Sequence, residues 1–152
     1  MHEETKDWIF HFFKSSEEKG QKEEGGRRKV MNEPLVVSNN PQIDKVDIYV
    51  EGGFLDVLIR SRDLVYLGHR LLVHPLFASI RMIYSPLRTL MLSRETFSHK
   101  ENQDSEILIA DAIEKYQRTM GQRKEDRIHF DDYAKVDKSL HEQAIRELGC
   151  SV

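Results

Sequence analysis

The chain has 152 residues, a mass of 17.9 kDa, a formal net charge of −3 and a single cysteine, Cys150. One cysteine excludes an internal disulfide and a cysteine metal cage, and no apolar run approaches the roughly 18 residues that cross a bilayer. The opening Met1-His2-Glu3-Glu4 is acidic where a secretory signal is basic, so the cytoplasm is the expected compartment.

Charge is unevenly spread. Residues 1–52 carry eight Lys/Arg against eleven Asp/Glu, and residues 95–152 carry nine against thirteen. Between them, residues 53–94 hold six arginines, two acids and no lysine. An arginine-only block suits carboxylate or phosphate recognition, since the guanidinium fork binds such groups bidentately; solvated arginines, or arginines paired with the acidic C-terminal helices, are the alternative. The acidic balance, with no basic run interleaved with aromatics, excludes a nucleic-acid footprint.

Residues 1–33 read as an N-terminal extension. Trp8, Ile9, Phe12 and Phe13 share one side of a short helix, and Lys14 to Glu33 has the Lys/Glu/Gly composition of a flexible linker. A single α/β domain is expected over residues 34–150. Its first strand is Leu35–Val37, stopped by Ser38-Asn39-Asn40-Pro41, and its second is Val46–Val50. Asn40 to Lys45 has room for one helical turn only, short for a parallel crossover.

A helix follows from Gly53 to Leu67, with Phe54, Val57, Leu58, Leu64 and Val65 on one face and a favourable Asp56–Arg60 pair on the other. Gly68 supplies its stop, and Leu71–Val73 reads as a strand buried on both faces. The irregular stretch from Leu76 to Pro86 is long enough to be functional. Leu87–Leu92 is a fourth strand. Two helices complete the chain, 104–120 and 132–148, the second capped by Asp131 with Tyr133, Val136, Leu140, Ala144 and Leu148 as its core stripe. The expected fold is α/β: a small, mostly parallel sheet of about four strands covered by helices, in a Rossmann-like three-layer arrangement.

Parallel strands would open their carboxyl ends onto one edge, where ligands of such sheets bind. That edge would carry Ser38, Asn39, Asn40, Glu51, Gly52 and His74, with Ser93 and Arg94. With Arg81 of the loop, the expected ligand-binding set is Ser38, Asn39, Asn40, Glu51, Gly52, His74 and Arg81, and the ligand a small anion. His74, oriented by Glu51, is the candidate for acid–base chemistry. The pair Gly52-Gly53 reads as a tight turn rather than a dinucleotide fingerprint. His2, His11, His69, His99, His129 and His141 are scattered without the spacing or carboxylate partners of a zinc site, so neither metal nor cofactor is expected.

Three ordered blocks, Val36-Val37-Ser38-Asn39-Asn40-Pro41, Val50-Glu51-Gly52-Gly53-Phe54-Leu55-Asp56-Val57-Leu58 and Gly68-His69-Arg70-Leu71-Leu72-Val73-His74-Pro75-Leu76, resemble the GrdX family. The resemblance covers about residues 35–93, through Ala78-Ser79-Ile80 and Ser85-Pro86. It departs from the family's pattern in a short joint after Pro41 and in Arg81-Met82-Ile83-Tyr84, where the family carries a more polar, proline-bearing segment. GrdX proteins are small and encoded beside selenium-dependent glycine, sarcosine and betaine reductase complexes of amino-acid-fermenting anaerobes. The resemblance therefore implies a non-catalytic cytoplasmic accessory or binding protein with reductase subunits as partners. A small enzyme, or a carboxylate or phosphate sensor, built around His74 is the alternative. Neither nucleic acid nor membrane is an expected partner.

Overall fold

The computed structural model describes residues 33–149. The aromatic helix and linker read into the N-terminal extension lie outside the described residues except for Glu33, and so does Cys150. The elements run β1 (Leu35–Ser38), β2 (Ile48–Tyr49), α1 (Phe54–Tyr66), β3 (His69–Leu71), a 3-10 turn (Ile80–Tyr84), β4 (Thr89–Thr96), α2 (Gln103–Met120) and α3 (Phe130–Glu147). No helix among the described residues is long and apolar enough to cross a membrane.

The strand–helix–strand unit forms where its periodicity places it. α1 buries Phe54, Val57, Leu58, Leu64 and Val65, the predicted stripe. Asp56 does not reach for Arg60; its carboxylate accepts the Gly53 N–H at 2.8 Å and closes the first turn from inside. At the far end Gly68 has φ of 112°, and a Cβ there would meet the Phe97 carbonyl oxygen at 2.7 Å. Both the dihedral and the close backbone demand glycine.

The sheet order is β2-β1-β4-β3. β1 pairs in parallel with β2, whereas β4, between β1 and β3, is antiparallel to both. The sheet is therefore mixed, not mostly parallel, and its central strand runs opposite to the Rossmann-like expectation. The cause lies in the connection. A parallel return needs a crossover, normally helical, and the segment between β3 and β4 holds only the five-residue 3-10 turn. The short joint before β2 is accommodated differently: β1 and β2 pair in parallel over only Val37↔Ile48 and Ser38↔Tyr49. Asp47 N–H to Val36 O (3.0 Å) and Val50 N–H to Ser38 O (2.8 Å) extend that pairing at both ends.

Leu90, Met91 and Leu92 of β4 are all buried, and successive strand residues point to opposite faces, so both faces are covered here. α1 packs on the sheet and α2 packs on α1, contributing Ile109, Ala112, Ile113, Tyr116 and Met120. Phe54 stacks on Tyr116 at 4.9 Å and meets Phe77 edge-on at 5.5 Å. Burying each such large apolar side chain contributes about 1.5–3 kcal/mol.

α3 departs from its predicted stripe. It starts at Phe130, with His129 rather than Asp131 at the cap, and within the helix it buries Ala134, Asp137 and His141. Of the expected stripe Leu148 is buried at the C-cap, whereas Val136 and Leu140 remain 42% and 41% exposed. The helix is rotated so that a polar line faces inward. What it meets there defines the site.

Candidate functional site

Because β4 is antiparallel, its start and not its end lies beside the end of β1: Ser38 is the register partner of Thr89. Ser93 and Arg94 consequently sit at the opposite edge, contrary to expectation. Arg94 there donates to the carbonyl of Glu33 and pairs with Asp47 at 2.7 Å, pinning the entry to β1. Their places on the expected rim are taken by Arg88 and Thr89.

The rim is a buried polar network with one carboxylate at its centre. Asp137 of α3 is 1% exposed. Its Oδ1 accepts the Thr89 N–H at 2.9 Å, and Arg88 Nη1 stands 3.8 Å from the same atom. Its Oδ2 accepts the Thr89 hydroxyl at 2.6 Å and Asn40 Nδ2 at 2.9 Å. The Asn40 amide also donates to the Ala134 carbonyl, and Ser38 Oγ lies 2.8 Å from Thr89 Oγ1. Charge-assisted bonds of this kind are about twice as strong as neutral ones, and here they tie α3 to the sheet.

Arg88 is the second centre. Nε donates to Pro75 O at 2.9 Å and Nη2 to His74 O at 2.7 Å, while the guanidinium lies 4.1 Å from the centroid of the Phe77 ring. Its backbone N–H goes to Asn39 Oδ1. Burial pulls its pKa down to about 10, with Asp137 opposing, so it stays charged at neutral pH. Asn39 completes the lattice by donating to Gly52 O and Pro86 O, and its own carbonyl accepts the Tyr49 hydroxyl.

Of the residues expected at the site, Ser38, Asn39 and Asn40 are buried and bonded to one another's neighbours. Gly52 enters through its carbonyl and His74 through its carbonyl, both reached from Asn39 by one or two bonds. Glu51 is exposed beside Gly52, and Arg81 is exposed on the 3-10 turn. The His74 ring accepts the Leu76 N–H at Nδ1, and burial holds its pKa below the ordinary histidine value. Arg88, Thr89 and Asp137 were missed. The signal for Asp137 was an acid beside the apolar stripe of an amphipathic helix; that for Arg88 was an arginine at the mouth of an otherwise apolar strand.

At the start of α1, the Gly52-Gly53 turn is filled from within the chain. Phe54 N–H donates to Glu125 Oε1 at 3.2 Å, and a Cβ on residue 53 would collide with that carboxylate. Two histidines do have acidic partners, His99 with Glu106 at 2.6 Å and His129 with Asp126 at 2.7 Å. Among the described residues no three or more His, Cys, Asp or Glu side chains are grouped to hold a metal.

Fold and site together define a small α/β protein with a mixed sheet, its strand-end edge closed by an internal carboxylate. The chain belongs to the GrdX-like protein family, whose model matches residues 29–146. That span takes in α2 and all but the last residue of α3, beyond the three blocks in which the resemblance is visible by eye. No curated protein and no solved structure matches the chain.

Proposed function

We propose that this chain is a non-catalytic cytoplasmic accessory protein of selenium-dependent glycine, sarcosine or betaine reductase systems, working by binding a component of those complexes. Family membership supports the setting. The observation that carries the non-catalytic reading is where the polar groups of the strand ends are spent. Asn39, Asn40, Arg88 and Thr89 each bond inside the fold, which is what a rigid binding scaffold requires. Glu51, Gly52 and Arg81 are exposed, and with His74, Ser38, Asn39 and Asn40 they are the residues we propose an anionic group would meet. Purification of a tagged chain under mild conditions from cells expressing the reductase subunits tests this. A stable complex is expected, and a solitary monomer counts against the role.

A second reading, a small enzyme with His74 as base and Glu51 orienting it, has one observation in its favour. Burial, with the charges of Arg88 and Lys115, lowers the imidazole pKa and favours the neutral ring near pH 7, whose Nδ1 lone pair must leave the Leu76 N–H to act as a base. If His74→Ala keeps the fold and glycine or betaine use by the cell is undiminished, that reading fails.

A further inference from the structure

The donors around Asp137 all belong to the sheet edge, and only the acceptor belongs to α3. Thr89 N–H is fixed by the β1–β4 pairing, which sets Ser38 opposite it. Arg88 is held by two carbonyls and the Phe77 ring without help from α3. The Asn40 side chain is steadied through its Oδ1, which accepts the Gln42 N–H at 3.0 Å. Arg88 and Thr89 are thus placed by the sheet edge itself, whereas the Asn40 amide divides its donors between Asp137 and the Ala134 carbonyl of α3. Together the three residues present an amide N–H, a hydroxyl, a carboxamide N–H and a guanidinium to the two oxygens of one carboxylate.

The helix that delivers the carboxylate is docked in an unusual way. Inside α3 the buried positions are Ala134, Asp137 and His141, while Val136 and Leu140 look outward. His141, 8% exposed, has its Nδ1 buried with no hydrogen-bond partner among the described residues. A buried nitrogen without a partner is a cost of the docked state, and Val136 and Leu140 are only partly covered by it. Besides buried Ala134 and Leu148 and the bond from Asn40 to the Ala134 carbonyl, α3 is held by one carboxylate, whose contacts a free carboxylate could reproduce.

We propose that Asn40, Arg88 and Thr89 form a binding site for a small carboxylate, and that Asp137 occupies it as an intramolecular stand-in, so that ligand entry and release of α3 are one event. This rests on reading the strand-end rim as the protein's working edge. The side chain of Asp137 is chemically an acetate on a backbone, so acetate is the smallest ligand that reproduces it, and glycine the next. Asp137 competes at the high effective concentration of a tethered group, so a free carboxylate binds the natural chain only feebly.

The test uses the full chain carrying Asp137→Ala, its fold checked by circular dichroism, titrated with sodium acetate against sodium chloride of equal ionic strength. Acetate is expected to bind the variant about tenfold or more tighter than the natural chain, and to raise its Tm by about 3–6 °C at ten times its Kd. Adding Arg88→Met should abolish the response. A folded variant that answers acetate no more than chloride overturns the proposal, while co-purification with reductase subunits would be untouched by that result. If Asp137→Ala does not fold, hydrogen exchange of the natural chain decides. Acetate must then speed exchange of the α3 amides selectively and in proportion to its concentration, against chloride of equal ionic strength, and exchange that acetate leaves unchanged overturns the site.

Discussion

Thr89 binds Asp137 twice, its backbone N–H to Oδ1 at 2.9 Å and its hydroxyl to Oδ2 at 2.6 Å. The first residue of the central strand and the inward face of the last helix are thereby fixed to each other in both position and orientation. The same hydroxyl lies 2.8 Å from Ser38 Oγ at the end of β1, so three elements meet at one side chain.

Thr89→Val keeps the shape and removes only that hydroxyl. Asp137 and Ser38 each lose a buried partner, and a loss of stability of about 1–3 kcal/mol is expected by urea denaturation. A change within about 0.5 kcal/mol, the size of an ordinary surface substitution, would show that the hydroxyl is dispensable.

Arg88→Lys retains the charge and loses the geometry. An ammonium cannot reach the Pro75 and His74 carbonyls together or lie flat on Phe77. Each carbonyl left unpaired costs about 1–3 kcal/mol, so the substitution should destabilise as a core mutation does despite its conservative name. Equal denaturation midpoints for the two proteins would contradict the role given to the fork.

Val136→Ser and Leu140→Ser separate the predicted stripe from the observed one. Were these residues core, each would cost about 2–5 kcal/mol. At 42% and 41% exposure each should shift stability by less than about 1 kcal/mol, whereas Ala134→Leu, at a fully buried position, should be severely destabilising. Thermal denaturation of the three variants distinguishes the two orientations of α3.

His141 sets an acid limit. Burial is the largest influence holding its pKa below 6.5, Arg88 adds to it, and Asp137 and Glu142 oppose it. The unfolded chain therefore binds a proton that the folded chain refuses, and stability falls as pH drops below 6.5, until the folded pKa is reached. Such a group gives a slope of at most about 1.4 kcal/mol per pH unit. His74, lowered chiefly by burial, acts in the same sense, whereas His129, raised by Asp126, contributes stability that is lost as pH rises. His141→Gln should flatten the decline that begins below pH 6.5, leaving the His74 share. An identical pH profile in variant and natural chain would remove His141 from the account.

The sequence made α1 legible because a 13-residue helix repeats its apolar face often enough to be read, with Gly53 and Gly68 marking its ends. The direction of β4 was harder, since its buried run Leu90-Met91-Leu92 is apolar and such a run looks the same from either end. The pointer was local: the segment 76–86 has no helical period, and a strand that follows without a crossover returns antiparallel. That one reversal moved Ser93 and Arg94 off the rim and brought Arg88 and Thr89 onto it. Asn39 and Asn40 were found because polar residues ending an apolar strand stand out. Asp137 was not, because its partners lie 48 and 97 residues away and no local pattern records them. In α3 the pattern misled, as hydrophobic periodicity assumes that a helix docks by its apolar side.

The claim on which the account turns is that a single carboxylate docks α3. Hydrogen exchange read by mass spectrometry in Asp137→Asn tests it most directly, since the substitution preserves size and removes the charge. The account predicts that amides of Phe130–Glu147 lose protection while those of β4, α1 and α2 keep theirs. α3 amides as protected as in the natural chain, or a loss spread evenly over the whole domain, would contradict it.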